Sequence, residues 1–360
     1  MKILIISLAG IGDTLLATPL IRALREQCPD AVIDVLARWP AAVDLLAGNP
    51  HVNQVHQKNL VGESPASNLK FLWSLRRKHY DISINTHPQG KIEYRVIARL
   101  IGARLRLSHG YENHSIWDRL LVNRSLDQDY TIHCSDNNLR LLPLMGLAEP
   151  RSPSEPELYF SAAEEEWAGS FMRSHELGTR LCIGFHAGSG KTKNLMLKRW
   201  PLDNYITVLR TIVGEYPNTK VLLFGGPEEK EDNERIVSEV RSASLIPVQS
   251  KTIRQSAAVL KRCKIFVSVD NLFMHLAAAV KVPEQIVIES PTFNKTIEPY
   301  HRPFRLVRNP MVNGRNLDYY RYDGRDVQGG TEHLLACMRS VTPEAVLKAV
   351  AEAMIAVTPR

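Results

Sequence analysis

The chain has 360 residues, of which 44% are hydrophobic and 23% charged, a composition typical of a globular protein with room for two domains. The formal net charge of +7 is compatible with anionic partners: phosphorylated sugars, nucleotides, nucleic acid or an acidic membrane surface. No apolar run reaches the roughly 18 residues that span a bilayer, so we expect any membrane contact to be peripheral.

The first strand and the turn after it organise the chain. Residues 2–8 are a short apolar run, typical of a strand buried on both faces of a parallel sheet. Gly10 and Gly12 permit a sharp turn before a helix, and Asp13 stands at the junction. Asp13 either caps that helix or faces the crevice where open α/β sheets bind ligands. The glycines are not a dinucleotide fingerprint, because the third one would fall at Leu15.

The rest of the first half alternates between strand and helix patterns. Strands are predicted at residues 31–37, 51–56 and 80–85, and helices at 40–46 and 71–79. This alternation predicts a parallel, doubly wound α/β domain. The basic residues around the second of these helices should form a solvated face: Lys70, Arg76, Arg77 and Lys78. Residues 86–91 leave the carboxyl end of a strand and should face the same crevice as Asp13.

Proline, serine and charge concentrate in residues 146–157, which predicts a domain boundary there. A second α/β series follows, with strands at 181–185, 220–224, 245–248, 265–269 and 285–289, and helices at 164–173, 228–240, 253–261 and 273–280. Regular patterns fade over 290–330, which should be mostly loop along a cleft, and a last helix covers 344–356. The predicted domains are therefore 1–155 and 156–342, followed by a helical segment 343–360 that could pack back toward the first domain.

The loop after strand 181–185 contains Gly190, Lys191 and Thr192, which imitate the end of a P-loop. That motif would need glycine at position 185, where this chain has Phe185, so a P-loop NTPase remains only a remote alternative. A different phosphate-binding arrangement fits better, with backbone N–H groups of a Gly/Ser loop, a lysine and a helix N-terminus. The residues that could supply it are Gly188, Ser189, Lys198 and the helix after Asp270.

A second strand-to-helix turn, at Gly225 and Glu229, should open onto the same crevice as the loop after strand 181–185. Its acidic residues could accept hydrogen bonds from ribose hydroxyls, or they could simply form an acidic first helical turn. Five dispersed cysteines and twelve histidines show no metal-ligand spacing, which argues for reduced thiols in a cytoplasm and against a zinc site.

Taken in order, four motifs resemble glycosyltransferase family 9, the family of ADP-heptose:lipopolysaccharide heptosyltransferases. They are Gly12-Asp13 with Thr18-Pro19, Lys198-Arg199-Trp200-Pro201, Phe224-Gly225-Gly226-Pro227, and Ser268-Val269-Asp270 leading into His275. The resemblance implies an α/β fold of GT-B architecture, with two Rossmann-like domains facing each other across a cleft. It also implies an inverting, metal-independent transfer of a sugar, first of all heptose from ADP-heptose, to a lipopolysaccharide-core or related bacterial glycan.

The same resemblance assigns roles to residues. Asp13 is expected to be the general base, Glu229 to contact ribose, and His275 to be structural rather than catalytic. The expected donor-binding residues are Gly188, Ser189, Lys198, Gly225, Glu229, Asp270, Asn271, Leu272 and His275. The expected acceptor-binding residues are Gly12, Thr14, His87, Gln89 and Lys91.

The resemblance further implies an ADP-linked nucleotide-sugar donor, an anionic glycolipid or oligosaccharide acceptor, no cofactor, no metal and no nucleic acid. We expect a cytoplasmic protein, with peripheral contact with the cytoplasmic face of the inner membrane left open. The chain departs from the family pattern at Asn271 and Leu272, where Ser or Thr and then Gly are usual. Losing that glycine changes how closely a phosphate can approach. A non-catalytic or altered-donor protein of the same fold is therefore the main alternative.

Overall fold

The computed structural model describes residues 1–113, 115–152, 154–190 and 193–357. The chain divides into two compact units. The first is Met1–Tyr159 with a short return segment, Tyr322–Gly324, and the second comprises Phe160–Arg321 and the chain after residue 324. The boundary predicted after residue 155 lies just before this division, whereas the return segment has no counterpart in the sequence patterns.

The first unit is an α/β sandwich whose elements alternate along the chain. Its strands are β1 (Lys2–Ser7), β2 (Val32–Ala37), β3 (Gln54–Gln57), β4 (Ile82–Asn85), β5 (Leu105–Gly110) and β6 (Arg124–Asp127). Its helices are α1 (Ile11–Leu16), α2 (Thr18–Gln27), α3 (Pro40–Leu46), α4 (Pro65–Arg76), α5 (Ile92–Ile101), α6 (Ile116–Leu121) and α7 (Cys134–Leu139), followed by a 3-10 turn at Leu142–Met145.

The six strands pair in the order β3-β2-β1-β4-β5-β6, and every recorded pair is parallel. The chain proceeds from β1 to β2 and β3 on one side of the sheet and then to β4, β5 and β6 on the other. The topological switch point therefore lies between β1 and β4, and the loops after these two strands are where such sheets bind ligands. β1 is central and buried, and Leu4 and Ile6 belong to an apolar core that includes Leu72 and Leu75 from α4. The predicted doubly wound parallel sheet is therefore confirmed for this unit.

The first unit differs from the sequence prediction in several places. No element was predicted between residues 92 and 145, where the structure has α5, β5, α6, β6 and α7. The single helix expected after the glycine turn is divided at Ala17, because Pro19 lies in the first turn of α2 and gives no N–H to a continuous helix. Helix α4 begins at Pro65 rather than at residue 71, since Ser64 caps it by accepting a hydrogen bond from the N–H of Ser67 at 3.3 Å.

The second unit repeats the same plan. Its strands are β7 (Leu181–His186), β8 (Thr219–Phe224), β9 (Leu245–Pro247), β10 (Ile265–Ser268), β11 (Glu284–Ile288) and β12 (Phe304–Val307). Its helices are α8 (Ala162–Ser174), α9 (Leu202–Glu215), α10 (Lys230–Val240), α11 (Ile253–Leu260), α12 (Leu272–Ala279), α13 (Asn316–Tyr319), α14 (Thr331–Arg339) and α15 (Pro343–Val357), with 3-10 turns at Leu195–Lys198 and Pro227–Glu229.

The strands of the second sheet follow the order β12-β11-β10-β7-β8-β9, and the recorded pairs are again parallel. Read from β9 to β12, this order is equivalent to that of the first sheet, with β7 in the place of β1 and β10 in the place of β4. The interval 290–330, expected to be loop, contains β12 and α13. Strand β12 escaped prediction because it is a short edge strand that carries Arg305, so its sequence shows little apolar pattern.

The last helix belongs to the second unit. Helix α15 packs against α9 and against β10, β11 and β12, and buries Val346, Val350 and Ala353 in the core of that unit. The prediction left open that this segment packs toward the first domain; the observed contacts place its described part on the second sheet. Across the described ranges, no helix has both the length and the apolar character needed to cross a membrane.

The return segment docks on the loop that follows β4. A Cβ at Gly90 would lie 2.6 Å from the carbonyl carbon of Asp323, so only glycine fits this close approach of two backbones. Asn113 Nδ2 donates to the carbonyl oxygen of Asp323 at 3.0 Å, and the ring of Tyr322 lies 6.3 Å from that of His87. The segment thus completes the surroundings of His87.

Replacing Gly90 with alanine should displace the return segment. Because the new methyl group would overlap the backbone of Asp323, we expect Gly90→Ala to lower the free energy of unfolding by about 1–3 kcal/mol, the usual cost of overpacking. Urea denaturation measures this change. Gly178→Ala is the matched control, since no heavy atom lies within 4 Å of the Cβ position there. Equal effects of the two substitutions would contradict the docking argument.

Candidate functional site

Asp13 caps the helix that follows the first strand. Its Oδ2 accepts a hydrogen bond from the N–H of Gly10 at 2.6 Å, and the side chain is half-buried. The capping interpretation of Asp13 is therefore correct. The cap bond does not exclude a second role, because an ionised carboxylate has two oxygens with about four lone-pair sites.

The loop after β4 is held against the end of β1. The side-chain amide of Gln89 donates to the carbonyl oxygens of Ile6 and Thr86, the latter at 2.9 Å. The N–H of Gln89 donates to the hydroxyl of Tyr111 at 2.8 Å, and the imidazole of His87 stacks on the Tyr111 ring at 5.7 Å. The loop predicted to face the crevice therefore lies at the carboxyl ends of β1 and β4.

Several buried polar atoms near this loop have no hydrogen-bond partner among the described residues, and three of them lie on its histidine and glutamine and on a neighbouring histidine. These three are Nε2 of His87, Oε1 of Gln89 and Nδ1 of His109. Burial lowers the pKa of His87 well below its usual value and that of His109 to about 4, so both imidazoles are neutral at pH 7. Buried polar atoms are normally satisfied, so these atoms are candidates for contact with a polar ligand or with water.

The other predicted acceptor residues have different surroundings. Thr14 is buried, and its hydroxyl lies 3.0 Å from the hydroxyl of Ser7, a contact that ties α1 to β1. Gly12 is half-buried on α1, and Lys91 is exposed at the start of α5. Of the five positions, His87 and Gln89 share one buried cluster, whereas Thr14 has a structural contact.

Sequence reasoning missed Arg38 and Tyr94. Burial raises the pKa of the Tyr94 hydroxyl, the charge of Arg38 lowers it, and the charge of Asp13 raises it again, so both charges act on Tyr94. Arg38 directly follows β2 and stacks on Trp39, with its guanidinium carbon 4.4 Å from the ring centroid. A basic residue just after a strand carboxyl end was the available signal for Arg38.

In the second unit, Lys198 forms a buried ion pair. Its Nζ lies 2.7 Å from Oδ2 of Asp270, and both side chains are at least nine-tenths buried. Asp270 also accepts hydrogen bonds from the hydroxyls of Ser290 and Thr292, the latter at 2.7 Å. The lysine that was expected to face a diphosphate is therefore already balanced in charge by Asp270.

Asn271 connects helix α12 to the loop after β7. Its Oδ1 caps the helix by accepting from the N–H of Met274 at 3.2 Å, and its Nδ2 donates to the carbonyl oxygen of Gly188 at 3.0 Å. The same Nδ2 lies 3.1 Å from Nδ1 of His186. An asparagine amide can both accept and donate, so Asn271 joins the two elements in a way that a hydroxyl would not reproduce.

Glu229 lies against the same loop. A Cβ at Gly188 would be 2.4 Å from the Glu229 carboxyl group, so glycine is required for this approach. Glu229 Oε2 accepts from the N–H of Gly226 at 3.0 Å, which shows that this acid does serve its first helical turn, while Arg199 Nη2 lies 3.4 Å from Oε1. Arg199 also donates to the carbonyl oxygen of Ser189 at 2.8 Å.

The remaining predicted donor positions surround this network. Ser189 is buried and donates to the carbonyl oxygen of Leu195 at 2.9 Å, and Gly225 lies beside Asn233 and Glu229. Leu272 is the half-buried first residue of α12, and His275 is buried on the same helix. The P-loop residues Lys191 and Thr192 lie outside the described residues.

Two histidines of this network are neutral at pH 7. Burial lowers the pKa of His186 to about 3 and that of His275 to about 4, with the charges of Arg199 and Lys198 acting in the same direction on His186 and His275 respectively. The His186 ring stacks on Phe273 at 4.4 Å. His186 was missed by the sequence reasoning, although its place at the end of β7 was a signal for it.

The residues that follow β7, β8, β10 and β11 therefore contact one another. Gly188 lies against Glu229, and Ser290 donates a hydrogen bond to Asp270. Sequence reasoning missed Arg199, Ser290 and Thr292 here; Arg199 was within reach because it belongs to a quoted motif. In the described ranges, no group of three or more His, Cys, Asp or Glu side chains is arranged to hold a metal ion.

Known proteins resemble this chain over most of its length. The family described as Glycosyltransferase family 9 (heptosyltransferase) matches residues 68–320. Lipopolysaccharide heptosyltransferase 3 of Escherichia coli K12 is 26% identical over 76% of this chain and 78% of its own length. Lipopolysaccharide heptosyltransferase 2 of Salmonella typhimurium LT2 is also 26% identical, over 97% of both chains.

A solved structure shares the fold. The E. coli ADP-heptose lipopolysaccharide heptosyltransferase II structure matches with a TM-score of 0.72 at 22% sequence identity, and covers 99% of this chain and 99% of its own. This likeness confirms the predicted α/β fold class of GT-B type, with two Rossmann-like units.

Removing the Lys198 ammonium group should leave the buried carboxylate of Asp270 without a counter-ion. In Lys198→Met, Asp270 loses its counter-ion, and we expect the free energy of unfolding to fall by about 3–5 kcal/mol, the usual cost of breaking a buried pair. Urea denaturation measures it. The double variant Lys198→Met/Asp270→Asn should recover part of the loss, because the neutral amide needs no counter-ion.

A matched control is Lys261→Met, which breaks an ion pair of 2.9 Å with Glu165 whose two side chains are 49% and 37% exposed. Exposed pairs contribute about 0–1 kcal/mol, so this variant should remain close to wild type. If Lys198→Met cost no more than Lys261→Met, the buried pair would not have the role assigned to it.

Proposed function

The chain belongs to glycosyltransferase family 9, and on that premise we propose that it transfers a heptose from ADP-heptose to a lipopolysaccharide-core acceptor. Family membership makes the protein a glycosyltransferase, as its motifs predicted. The proposed donor and acceptor are taken from relatives whose names include ADP-heptose and lipopolysaccharide. We further propose that the protein is cytoplasmic; its five free cysteines are compatible with a reducing compartment.

One observation supports the donor site above all: the network at the carboxyl ends of the second sheet joins Gly188, Asn271, Glu229 and the pair Lys198–Asp270. Nucleotides bind at this edge of doubly wound sheets. We propose that Glu229 accepts hydrogen bonds from ribose hydroxyls. Its carboxylate is buried, and Gly188 allows the backbone of the loop after β7 to lie close to it.

The negative charge of the leaving diphosphate must be stabilised. Lys198 supplies only part of that stabilisation, because its positive charge is already balanced by Asp270. Lys198 is paired with Asp270, so we propose that backbone N–H groups contribute the rest, from the loop at Gly188 and the first turn of α12. The first turn of a helix leaves N–H groups without intrahelical partners and carries partial positive charge. On this proposal no metal ion is required, and activity should persist in EDTA.

In the proposed reaction, the acceptor oxygen forms a bond to the anomeric carbon of heptose while the bond from that carbon to the diphosphate breaks. The electron pair leaves with ADP, and the acceptor proton passes to the carboxylate of Asp13. Attack opposite the leaving group inverts the anomeric configuration. A carboxylate is a sufficient base because the hydroxyl becomes acidic only as the sugar carbon gains positive charge.

The acceptor would approach the loop after β4. His87 and Gln89 each carry a buried polar atom without a partner among the residues that the structure describes. The hydroxyl of Tyr111 is hydrogen-bonded to both of these residues, and the charge of Asp13 acts on that hydroxyl. We propose that sugar hydroxyls of the acceptor satisfy these atoms, and that the Arg38 cation favours an anionic acceptor.

Two substitutions separate the capping role of Asp13 from its proposed catalytic role. In Asp13→Asn the amide oxygen can still cap α1 but cannot take a proton, so kcat should fall by about 10²–10⁴-fold at nearly unchanged stability. Asp13→Ala should in addition lose about 1 kcal/mol of the free energy of unfolding. ADP release from ADP-heptose with a core-oligosaccharide acceptor measures the rate.

Glu164→Gln is the control for Asp13→Asn. Glu164 caps α8 in the same way, with its Oε2 accepting from the N–H of Ser161 at 2.8 Å. Its Oε1 also lies 2.8 Å from Nη2 of Arg254, so Glu164→Gln should lower the stability but leave the kcat of the folded protein unchanged. Full activity of Asp13→Asn would rule out Asp13 as the base.

The donor site can be tested with two glycines of one loop. In Gly188→Ala the new methyl group would displace the Glu229 carboxylate, so we expect ADP to bind at least about tenfold more weakly, which reduces the ligand-induced rise in Tm. Gly190→Ala is the matched control, because its Cβ would lie 3.6 Å from Leu195 in ordinary contact. GDP and UDP, measured in the same assay, test whether the site prefers adenine over other nucleobases.

If no nucleoside diphosphate or nucleotide-sugar raised the Tm of the wild-type protein, the donor assignment would fail. That result would favour the alternative of a non-catalytic protein, for which the unusual pair Asn271 and Leu272 is the motivating observation. A rise with GDP or UDP but not with ADP would instead identify an altered donor.

A further inference from the structure

Three neighbouring helices of the first unit expose large apolar side chains. Helix α5 contacts both α4 and α6. We call their solvent-facing side the α4–α6 face, and its principal apolar residues are Leu69, Trp73, Val96, Leu100, Trp117 and Leu120. Isolated exposed apolar residues are normal in proteins, whereas a continuous patch marks a site of interaction.

The exposed residues form stripes rather than scattered positions. On α4, Leu69 and Trp73 are four residues apart and therefore lie on one side of the helix. On α5, Val96 and Leu100 have the same spacing. On α6, Trp117 and Leu120 are three residues apart, and they are 62% and 63% exposed.

The stripes of α4 and α5 lie next to each other. The Arg76 guanidinium donates to the carbonyl oxygen of Leu100 at 3.0 Å, and its central carbon lies 6.0 Å from the centroid of the Trp73 ring. This contact places the end of the α4 stripe beside the end of the α5 stripe, so the apolar residues of these two helices belong to one surface. Helix α6 adjoins it through its contact with α5.

Basic side chains are interleaved with the apolar ones. Lys70 and Arg77 are exposed and lie three and four residues from Trp73, and Arg99 lies three residues from Val96. Helix α4 contains no acidic residue, and α5 contains only Glu93. The basic residues around α4 were expected to form a solvated face; the structure shows that apolar residues share that face.

The acid of α6 does not offset this positive charge on the surface. Asp118 is buried, where its Oδ1 lies 2.9 Å from Nε of Arg95 and its Oδ2 accepts a hydrogen bond from the N–H of Ser115. The α4–α6 face therefore combines exposed tryptophans and aliphatic residues with an excess of exposed cations.

We propose that the α4–α6 face docks on the surface of an anionic phospholipid bilayer. Tryptophan is favoured at the boundary between lipid and water, and each cation near an anionic surface adds attraction. Stable peripheral binding needs both an apolar and a basic contribution, and this face supplies both. A second copy of this chain is a poorer match, because two such faces would bring like charges together.

Docking through this face goes beyond the proposed transfer reaction, and its only link to that proposal is that both concern a glycolipid acceptor. The face lies on the unit that contains Asp13 and the loop after β4. Docking would keep that unit at the membrane where a lipid-linked acceptor resides. Vesicle binding itself requires no donor, acceptor or catalysis, so the docking proposal can fail while the proposed function holds.

The test is cosedimentation of the full chain with vesicles of phosphatidylcholine alone or with about 30% phosphatidylglycerol, at low salt and at about 0.5 M NaCl. We expect binding to the anionic vesicles, at least about tenfold weaker binding to the neutral ones, and a marked loss at high salt. Absence of wild-type binding to anionic vesicles at low salt would overturn the proposal.

Two variants resolve the contributions of the face. Trp73→Glu/Trp117→Glu should bind anionic vesicles at least about tenfold more weakly, as should Lys70→Gln/Arg77→Gln/Arg99→Gln. Ile355→Glu is the matched control, because Ile355 is a 77% exposed apolar residue on α15 of the second unit. An equal loss in the control would show that the effect is not specific to this face.

Folding and oligomeric state are measured on the same variants, to distinguish lost docking from unfolding or from a lost dimer. Circular dichroism and thermal unfolding should be unchanged, since all substituted side chains are exposed. The oligomeric state from light scattering should also be unchanged; a dimer that Trp73→Glu/Trp117→Glu dissociates, without vesicle binding by the wild type, would assign the face to a second copy. Transfer to a water-soluble acceptor should be unaffected by the tryptophan variant.

Discussion

The buried ion pair between Lys198 and Asp270 is the interaction on which the second unit's site depends. It joins the 3-10 turn before α9 to the residue that precedes the cap of α12, and the hydroxyls of Ser290 and Thr292 complete the surroundings of the carboxylate. A charge buried alone is too costly to persist, so each partner requires the other. The pair thus fixes the loops after β10 and β11 relative to Lys198, and the proposed donor site includes that arrangement.

The two units apply one physical rule to different chemistry. In a parallel sheet the strands end at the same edge, so side chains that are distant in sequence meet in the loops that follow them. In the first unit this edge gathers uncharged, buried groups such as His87 and Gln89, with Asp13 nearby. In the second unit it gathers compensated charges and backbone N–H groups. The first set suits sugar hydroxyls, and the second suits a nucleoside diphosphate.

Charge is distributed unevenly over the molecule, and its local balance matters more than its total. The net charge of +7 suggested anionic partners in general. At the proposed donor site the charge of Lys198 is balanced by that of Asp270, so this pair adds no net positive charge. The excess on α4 and α5 instead accompanies exposed apolar residues, a combination that a solvated helix face does not need.

The sequence by itself determined the two α/β domains, most strands, the family and the identity of Asp13, Lys198 and Glu229 as candidates, because apolar runs and short motifs are local properties. It did not reveal the strands β5, β6 and β12, whose sequences carry polar or charged residues and little apolar pattern, or the return of Tyr322–Gly324 to the first unit. Only the tertiary structure decided that Lys198 is paired with Asp270, that Asn271 joins α12 to the loop at Gly188, and that Trp73 and Trp117 are exposed on helices that both contact α5. Each of these depends on residues far apart in the chain, whose contacts are set by how strands and helices pack and are not encoded in any local window of sequence.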